Sequence, residues 1–186
     1  MPVDDILLEA EEKMLKSVEH VQAEFAGVRT GKASPALVEN VMIEAYGSQM
    51  RLKELAGITA PENRMLVVQP WDASTLDPID KGLQKANLGL NPSQDGKIIR
   101  IVMPELSEER RQEFVKIARK MAEDGRVAIR HVRRDAIQHL KDEAKSSAIT
   151  EDDQSKGEKD VQKLTDDHIK QIDDHLANKE DEIMTV

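Results

Sequence analysis

Apolar residues recur near the start of the chain at Leu7, Met14, Val18, Val21, Phe25 and Val28, spaced by seven or by alternating fours and threes. That spacing predicts a helix packed lengthwise on others, stopping at Thr30-Gly31, where glycine can take the left-handed cap conformation. A second series, Ala118, Ala122, Gly125, Ile129, Val132 and Ala136, predicts one long helix over residues 107–147. Its small residues would let neighbouring helix axes approach closely. Ser107 is placed to act as its N-cap, with Glu108 and Glu109 in an acidic first turn. At the α-helical rise this element would be roughly 60 Å long, so an elongated body is expected. A third helix begins near Thr150, whose hydroxyl can cap while Asp153 reaches back, and continues through Val161, Leu164, Ile169, Ile172, Leu176 and Ile183. Three such stripes can bury one another as a bundle.

Residues 31–106 break this pattern and hold six of the seven prolines. Val41, Ile43 and Ala45 alternate with Met42, Glu44 and Tyr46 before Gly47-Ser48, which reads as a strand and turn, and Met50 and Leu52 continue the alternation. Met65-Leu66-Val67-Val68 and Lys97–Val102 read as further strands, the latter entered through Asp95-Gly96. Between them a short helix is expected over residues 74–87 after Asp72, with Leu76, Ile79 and Leu83 on one face. The expected fold is α+β: an elongated antiparallel three-helix bundle from residues 1–30 and 105–186, with a small β/α/β domain, 31–104, inserted after the first helix. Two crossings, Gly31-Lys32-Ala33-Ser34-Pro35 and Pro104-Glu105, would then connect the parts and act as a hinge.

Charge changes this picture. The chain carries a net −9, but residues 107–147 hold eleven Lys or Arg against eight Asp or Glu. Residues 148–186 hold five against twelve, and residues 1–30 three against seven. One helix face can therefore meet a polyanion inside an otherwise acidic protein. Arg119, Arg126, Arg130 and Arg133 step by seven, four and three, close to one line of the helix and each one position after a seam residue. Flanking positions of this kind commonly pair with acids on adjacent helices, and they equally suit phosphate, since guanidinium forks fit both anions. Periodicity leaves both roles open. With two aromatic residues in every hundred, base stacking on single strands is disfavoured, whereas a structured RNA read through its backbone is not.

Other chemistries find little support. Cys is absent, so there is no thiol nucleophile and no disulfide. No Gly-rich phosphate loop or zinc-type spacing occurs. His168 and His175 share a helical face but lie two turns apart, too far for one ion unaided, and no metal site is expected. The first residues lack a basic segment before an apolar run, and no long uncharged apolar stretch occurs, so no signal peptide and no membrane partner are expected. The reading is a cytoplasmic, non-enzymatic protein. A helical adaptor that grips proteins with its ends would use the same bundle equally well.

Five segments carry a resemblance: Arg29-Thr30-Gly31-Lys32-Ala33-Ser34-Pro35, Gly89-Leu90-Asn91-Pro92, Glu108-Glu109-Arg110-Arg111, Arg130-His131-Val132-Arg133-Arg134-Asp135, and Asp160-Val161-Gln162-Lys163-Leu164-Thr165-Asp166. In this order, spanning nearly the whole chain, they resemble the signature segments of bacterial ribosome recycling factors. The resemblance implies an L-shaped molecule, similar in outline to a transfer RNA. It implies binding to the post-termination ribosome and, with elongation factor G and GTP hydrolysis on that partner, splitting into subunits. No cofactor of its own is implied, and a monomer is expected. Arg130 and Arg133 match the family arginines that contact large-subunit ribosomal RNA. Arg126 and Arg119 extend that line, and Arg29 of the first segment joins the RNA-binding set. Gly31–Pro35 and Pro104 match the family hinge. Lys32 stands where many members have Arg, losing the bidentate fork, and His131 where many have Asn.

Overall fold

The structure, a computed structural model, describes residues 2–185. In chain order its elements are α1 (Val3–Ala26), β1 (Met42–Ala45), β2 (Ser48–Arg51), a single helical turn α2 (Leu52–Leu55), β3 (Ala56–Glu62), β4 (Met65–Pro70), α3 (Leu76–Lys85), β5 (Asn91–Asp95), β6 (Ile98–Val102), α4 (Glu108–Lys145) and α5 (Glu151–Met184). Contacts divide the chain into two compact units. One comprises the residues up to Val28 together with Gln112–Thr185, and the other is Arg29–Arg111.

The first unit is a three-helix bundle. Val21 of α1 and Ile172 of α5 close over Gly125 of α4, while Val3 and Leu140 close over Gly157 of α5, so α4 runs antiparallel to both other helices. Val115, Ala118, Ala122, Gly125, Ile129, Ala136 and Leu140 form the buried stripe of α4. The stripe of α1 is Ile6, Ala10, Met14, Val18, Val21 and Phe25. Leu7, expected in this seam, is only half-buried. Stepping back from Met14 by fours reaches Ala10 and Ile6, because a straight helix drifts relative to a strict seven-residue repeat. The helix also ends at Ala26 rather than Thr30. The N–H groups of Gly27 and Val28 bond to the carbonyls of Glu24 and Phe25, at 3.1 and 3.0 Å, and tighten the last turn. Gly31 does have a positive φ of 79°, but within the linker and not as a cap.

The caps of the later helices follow the sequence. Ser107 Oγ accepts from the Arg110 N–H at 3.3 Å. Thr150 Oγ1 accepts from the Asp153 N–H at 3.1 Å, and Asp153 returns a carboxylate to the Thr150 N–H at 3.3 Å.

In the second unit, β1 and β2 form an antiparallel hairpin turned at Tyr46-Gly47, both with positive φ, the backbone that a two-residue turn between twisted strands needs. A four-stranded antiparallel sheet has the order β3-β4-β6-β5. Leu66, Val68, Ile99 and Ile101 from its centre pack with Ile79 and Leu83 of α3 and with Ile43, Leu52 and Leu55. Leu52, read as continuing a strand, instead opens α2 and turns into this core. The two edge strands, β3 and β5, were not expected. β3 carries Pro61 and a register shift between Thr59 and Glu62, β5 carries Pro92, and both are largely exposed, so neither shows the apolar alternation of the central pair.

Candidate nucleic-acid interface

Three of the four arginines of α4 reach side chains of the antiparallel neighbour α5. Moving along α4 by seven from Arg119 reaches Arg126, and moving back along α5 by seven from Glu180 reaches Asp173. Arg119 Nε donates to Glu180 Oε1 at 2.6 Å, and Arg126 Nε to Asp173 Oδ1 at 2.8 Å. The next rung of this ladder would set Arg133 against Asp166. Here Gln162 intervenes: its Oε1 accepts from Arg133 Nη1 at 3.3 Å, and its Nε2 donates to Asp166 Oδ1 at 2.8 Å. The positive charge of Arg133 thus meets a neutral amide, whereas Arg119 and Arg126 each meet a carboxylate of α5.

Arg130 has a third environment. Glu123 receives Arg126 Nη1 on Oε2 and Arg130 Nη1 on Oε1, both at 3.0 Å, so one exposed carboxylate bridges two guanidinium groups along α4. The hydrogen bond from Arg130, then that from Arg126, holds the Glu123 carboxyl below the usual carboxylate range. Burial works against the charge of Arg126, whose side chain is 19% exposed, but Asp173 and Glu123 more than offset this, and its pKa is raised. Glu180 likewise raises that of Arg119, which is 63% exposed. Arg130 is 43% exposed. A network of alternating sign, Asp173–Arg126–Glu123–Arg130, therefore runs from the α4/α5 seam out to solvent.

Arg29 belongs to the other unit, where its guanidinium lies over Gly89. The linker residues are fixed by backbone bonds. The N–H of Ala33 donates to the Asn63 carbonyl and that of Met103 to the Arg64 carbonyl, both at 2.7 Å. Two consecutive residues of the β3–β4 turn thereby hold both connections. Arg64 forms an ion pair with Glu105, whose carboxyl is lowered by that hydrogen bond. The Lys32 N–H reaches Thr30 Oγ1 at 3.4 Å, and the Leu37 N–H bonds to the Ser34 carbonyl at 3.0 Å, entering a helical turn that starts at Pro35. Pro104 is exposed outside any helix or strand.

Sequence reasoning missed Glu123, Asp173, Glu180 and Gln162 as individual partners, although a signal was present. Acids seven apart on α5 mirror arginines seven apart on α4, and Glu123 precedes Arg126 by three and Arg130 by seven. Asn63 and Arg64 left none, because their role is carried by backbone carbonyls. His168 is buried, with Nδ1 2.7 Å from the Leu164 carbonyl, and His175 Nε2 sits 2.7 Å from Gln22 Nε2. Among the described residues no group of three or more His, Cys, Asp or Glu is placed to hold a metal ion, and no helix is long and apolar enough to cross a membrane.

Comparison with known proteins covers the same ground from end to end. The family model for ribosome recycling factor matches residues 21–184. The ribosome-recycling factor of Syntrophomonas wolfei subsp. wolfei is 50% identical over 184 residues, covering 99% of this chain and 100% of that protein. That of Caldicellulosiruptor saccharolyticus is 53% identical over 177 residues, covering 95% and 96%. A solution structure of a ribosome recycling factor matches with a TM-score of 0.81 at 40% identity, covering 100% of this chain and 99% of the other. A second structure matches with a TM-score of 0.69 at 42% identity, covering 99% and 100%; it describes the T. thermophilus ribosome recycling factor and the E. coli elongation factor G bound to the E. coli post-termination complex. With about half its residues identical to relatives matched along nearly their full length, and a backbone that follows solved ribosome recycling factors, this chain belongs to the ribosome recycling factor family.

Proposed function

We propose that this protein binds the post-termination ribosome and, with elongation factor G and GTP hydrolysed on that partner, drives its dissociation into subunits. The observation that carries the RNA-binding part is the grading of the α4 line. Arg119 and Arg126 are held by acids of α5, while Arg130 and Arg133 form the end where a neutral Gln162 replaces the α5 carboxylate. Arg130 and Arg133 are the large-subunit ribosomal RNA contacts in this reading, and Arg119 and Arg126 chiefly bind the helices to each other. The bundle acts as a stiff lever, and the inserted unit moves about the linkers Gly31–Pro35 and Pro104-Glu105. Arg29 lies at the entrance to the first linker and adds charge beside it. The work comes from binding energy and from the partner's nucleotide, so the chain needs no catalytic residue, no metal and no cofactor of its own. It acts as a monomer in the cytoplasm.

The test is subunit splitting followed by light scattering, using post-termination complexes with this protein, elongation factor G and GTP, each omitted in turn. Splitting that requires all three is expected. Splitting that persists without elongation factor G, or none with a demonstrably folded protein, overturns the proposal.

A further inference from the structure

Glu123 sits between two guanidinium groups of the arginine line. Its two carboxylate oxygens each take one Nη1 donor, from Arg126 and Arg130, at 3.0 Å. Two guanidinium groups converging on the two oxygens of a single exposed anion is also how a bridging phosphate is held. The two arginines are not equivalent. Arg126 gives its Nε and Nη2 to Asp173, so it is anchored on α5 and keeps Glu123 in place. Arg130 has no such anchor: among the ion pairs of the described residues its acid partner is Glu123, two turns back on its own helix. That reach of about 10 Å along the axis draws the Arg130 guanidinium toward the N-terminal end of α4, away from Arg133.

We propose that Glu123 is a tethered competitor for the phosphate that Arg130 takes, and so a specificity-determining residue of the RNA-binding face. This rests on the reading of Arg130 and Arg133 as RNA contacts. An RNA backbone can use Arg130 fully only by displacing it from Glu123. A polyanion offering one loosely placed phosphate gains a contact and loses an ion pair, with little net benefit. A rigid backbone that engages Arg130 and Arg133 together gains two contacts for the same loss. Glu123 thereby lowers affinity for unstructured or unrelated RNA more than for the cognate surface, as expected of a device that makes wrong partners unfavourable. It also reconciles an arginine line with a chain of net charge −9, since the line is partly neutralised until a matching anion arrives.

The experiment measures binding of Glu123→Gln, Glu123→Ala, Arg130→Ala and the double variant Glu123→Gln/Arg130→Ala to purified large ribosomal subunits and to a short RNA duplex of unrelated sequence, across a salt series. Circular dichroism melting of each variant checks the fold. Removing the charge of Glu123 should raise affinity for the unrelated duplex by about two- to fivefold at low salt, the worth of an exposed ion pair. The salt slope should steepen by about one phosphate equivalent. Affinity for large subunits should rise less, narrowing the selectivity ratio. The double variant should bind like Arg130→Ala alone, because the competition acts through that side chain. Unchanged or weaker duplex binding by both Glu123 variants overturns the proposal, as does a gain that survives in the double variant, which would be a general charge effect. Arg130→Ala tests the underlying reading separately: if it leaves large-subunit binding unchanged, the RNA face lies elsewhere and the competitor role falls with it.

Discussion

Gly125→Ala and Gly157→Ala make the same chemical change at two buried helix positions, and the packing around them predicts opposite results. A methyl carbon on Gly125 would lie 2.4 Å from Val21 Cγ2 and 3.1 Å from Ile172 Cδ1. Carbon contacts are optimal near 3.5–4.0 Å, so a displacement of about 1 Å is required. Val21 and Ile172 are almost fully buried, and a β-branched side chain in a helix has essentially one rotamer, so Val21 cannot rotate aside and the helices must separate. Overpacking of this kind costs about 1–3 kcal/mol, against a helix-propensity gain of about 1 kcal/mol for replacing glycine. The clash is at the severe end, so Gly125→Ala should be net destabilising by about 1–2 kcal/mol, lowering the bundle transition by several degrees. At Gly157 the nearest atoms are the two Cδ atoms of Leu140 at 3.0 and 3.1 Å and Val3 Cγ1 at 3.1 Å. Here a shift of only a few tenths of an ångström is needed, and although Leu140 is fully buried, Val3 is half-buried at the first position of α1, so the propensity gain offsets the crowding and Gly157→Ala should be neutral or stabilising by up to about 1 kcal/mol. Urea unfolding followed by helical circular dichroism, with the m-value checked for constancy, measures both. A Gly125→Ala protein at least as stable as the parent would show that axial proximity at this glycine is not what sets the packing of the three helices.

Arg133→Ala should weaken binding to large ribosomal subunits and reduce its salt dependence by about one phosphate contact while leaving the melting temperature nearly unmoved, because its partner is an amide. Arg126→Ala, by contrast, leaves Asp173 and Glu123 without their shared partner and should cost about 1 kcal/mol of stability, read by thermal melting. Thr150→Ala removes the cap of α5 and should cost about 1 kcal/mol in the same assay. Asp153 has a pKa lowered below its ordinary 3.8, first by the Thr150 hydroxyl and then by its N–H. Its contribution is therefore complete above the unfolded value and is lost as pH falls through the folded one. Asp153→Asn should accordingly lose its stability deficit in acid melts below pH of about 4. Ala33→Pro deletes the N–H that bonds to the Asn63 carbonyl and should raise proteolytic cleavage at residues 29–34 without changing the melting of the bundle; unaltered cleavage would show that this bond does not hold the linker.

How much of this was legible follows from where each interaction is encoded. The seams of the helices were readable from Met14 to Phe25 and from Ala118 to Ala136, because burial on one face forces a period on side-chain type. The Thr150–Asp153 cap was readable because it needs particular side chains three apart. The strands β3 and β5 were not, since an edge strand such as Asn91–Asp95 takes its position from hydrogen bonds to Ile98–Val102 and not from any apolar alternation of its own. At the arginine line, periodicity gave the row but not the recipient of each charge. That depended on the register of α5 against α4, which brings Glu180 and Asp173 opposite Arg119 and Arg126 and Gln162 opposite Arg133. Charge counting over whole segments averages such pairs away. The backbone bonds at Asn63 and Arg64 have no side-chain signature at all.

The attachment of both connections to one turn also bears on how the chain acquires its structure. Between the end of α1 and the start of α4 lie about eighty residues, and α1 exposes an apolar stripe until α4 and α5 exist to cover it. Once Arg29–Arg111 has folded, the bonds from Ala33 and Met103 to neighbouring carbonyls bring the two exits of that segment together, with Leu106 against Gly31. A long flexible closure then becomes a short one of roughly ten free residues, which lowers its entropic cost by about 2 kcal/mol. On a ribosome emitting the chain from its N-terminus, this favours an order in which the middle of the sequence matures first and α1 waits. The segment interrupting the bundle would then serve as the splint on which the bundle is assembled.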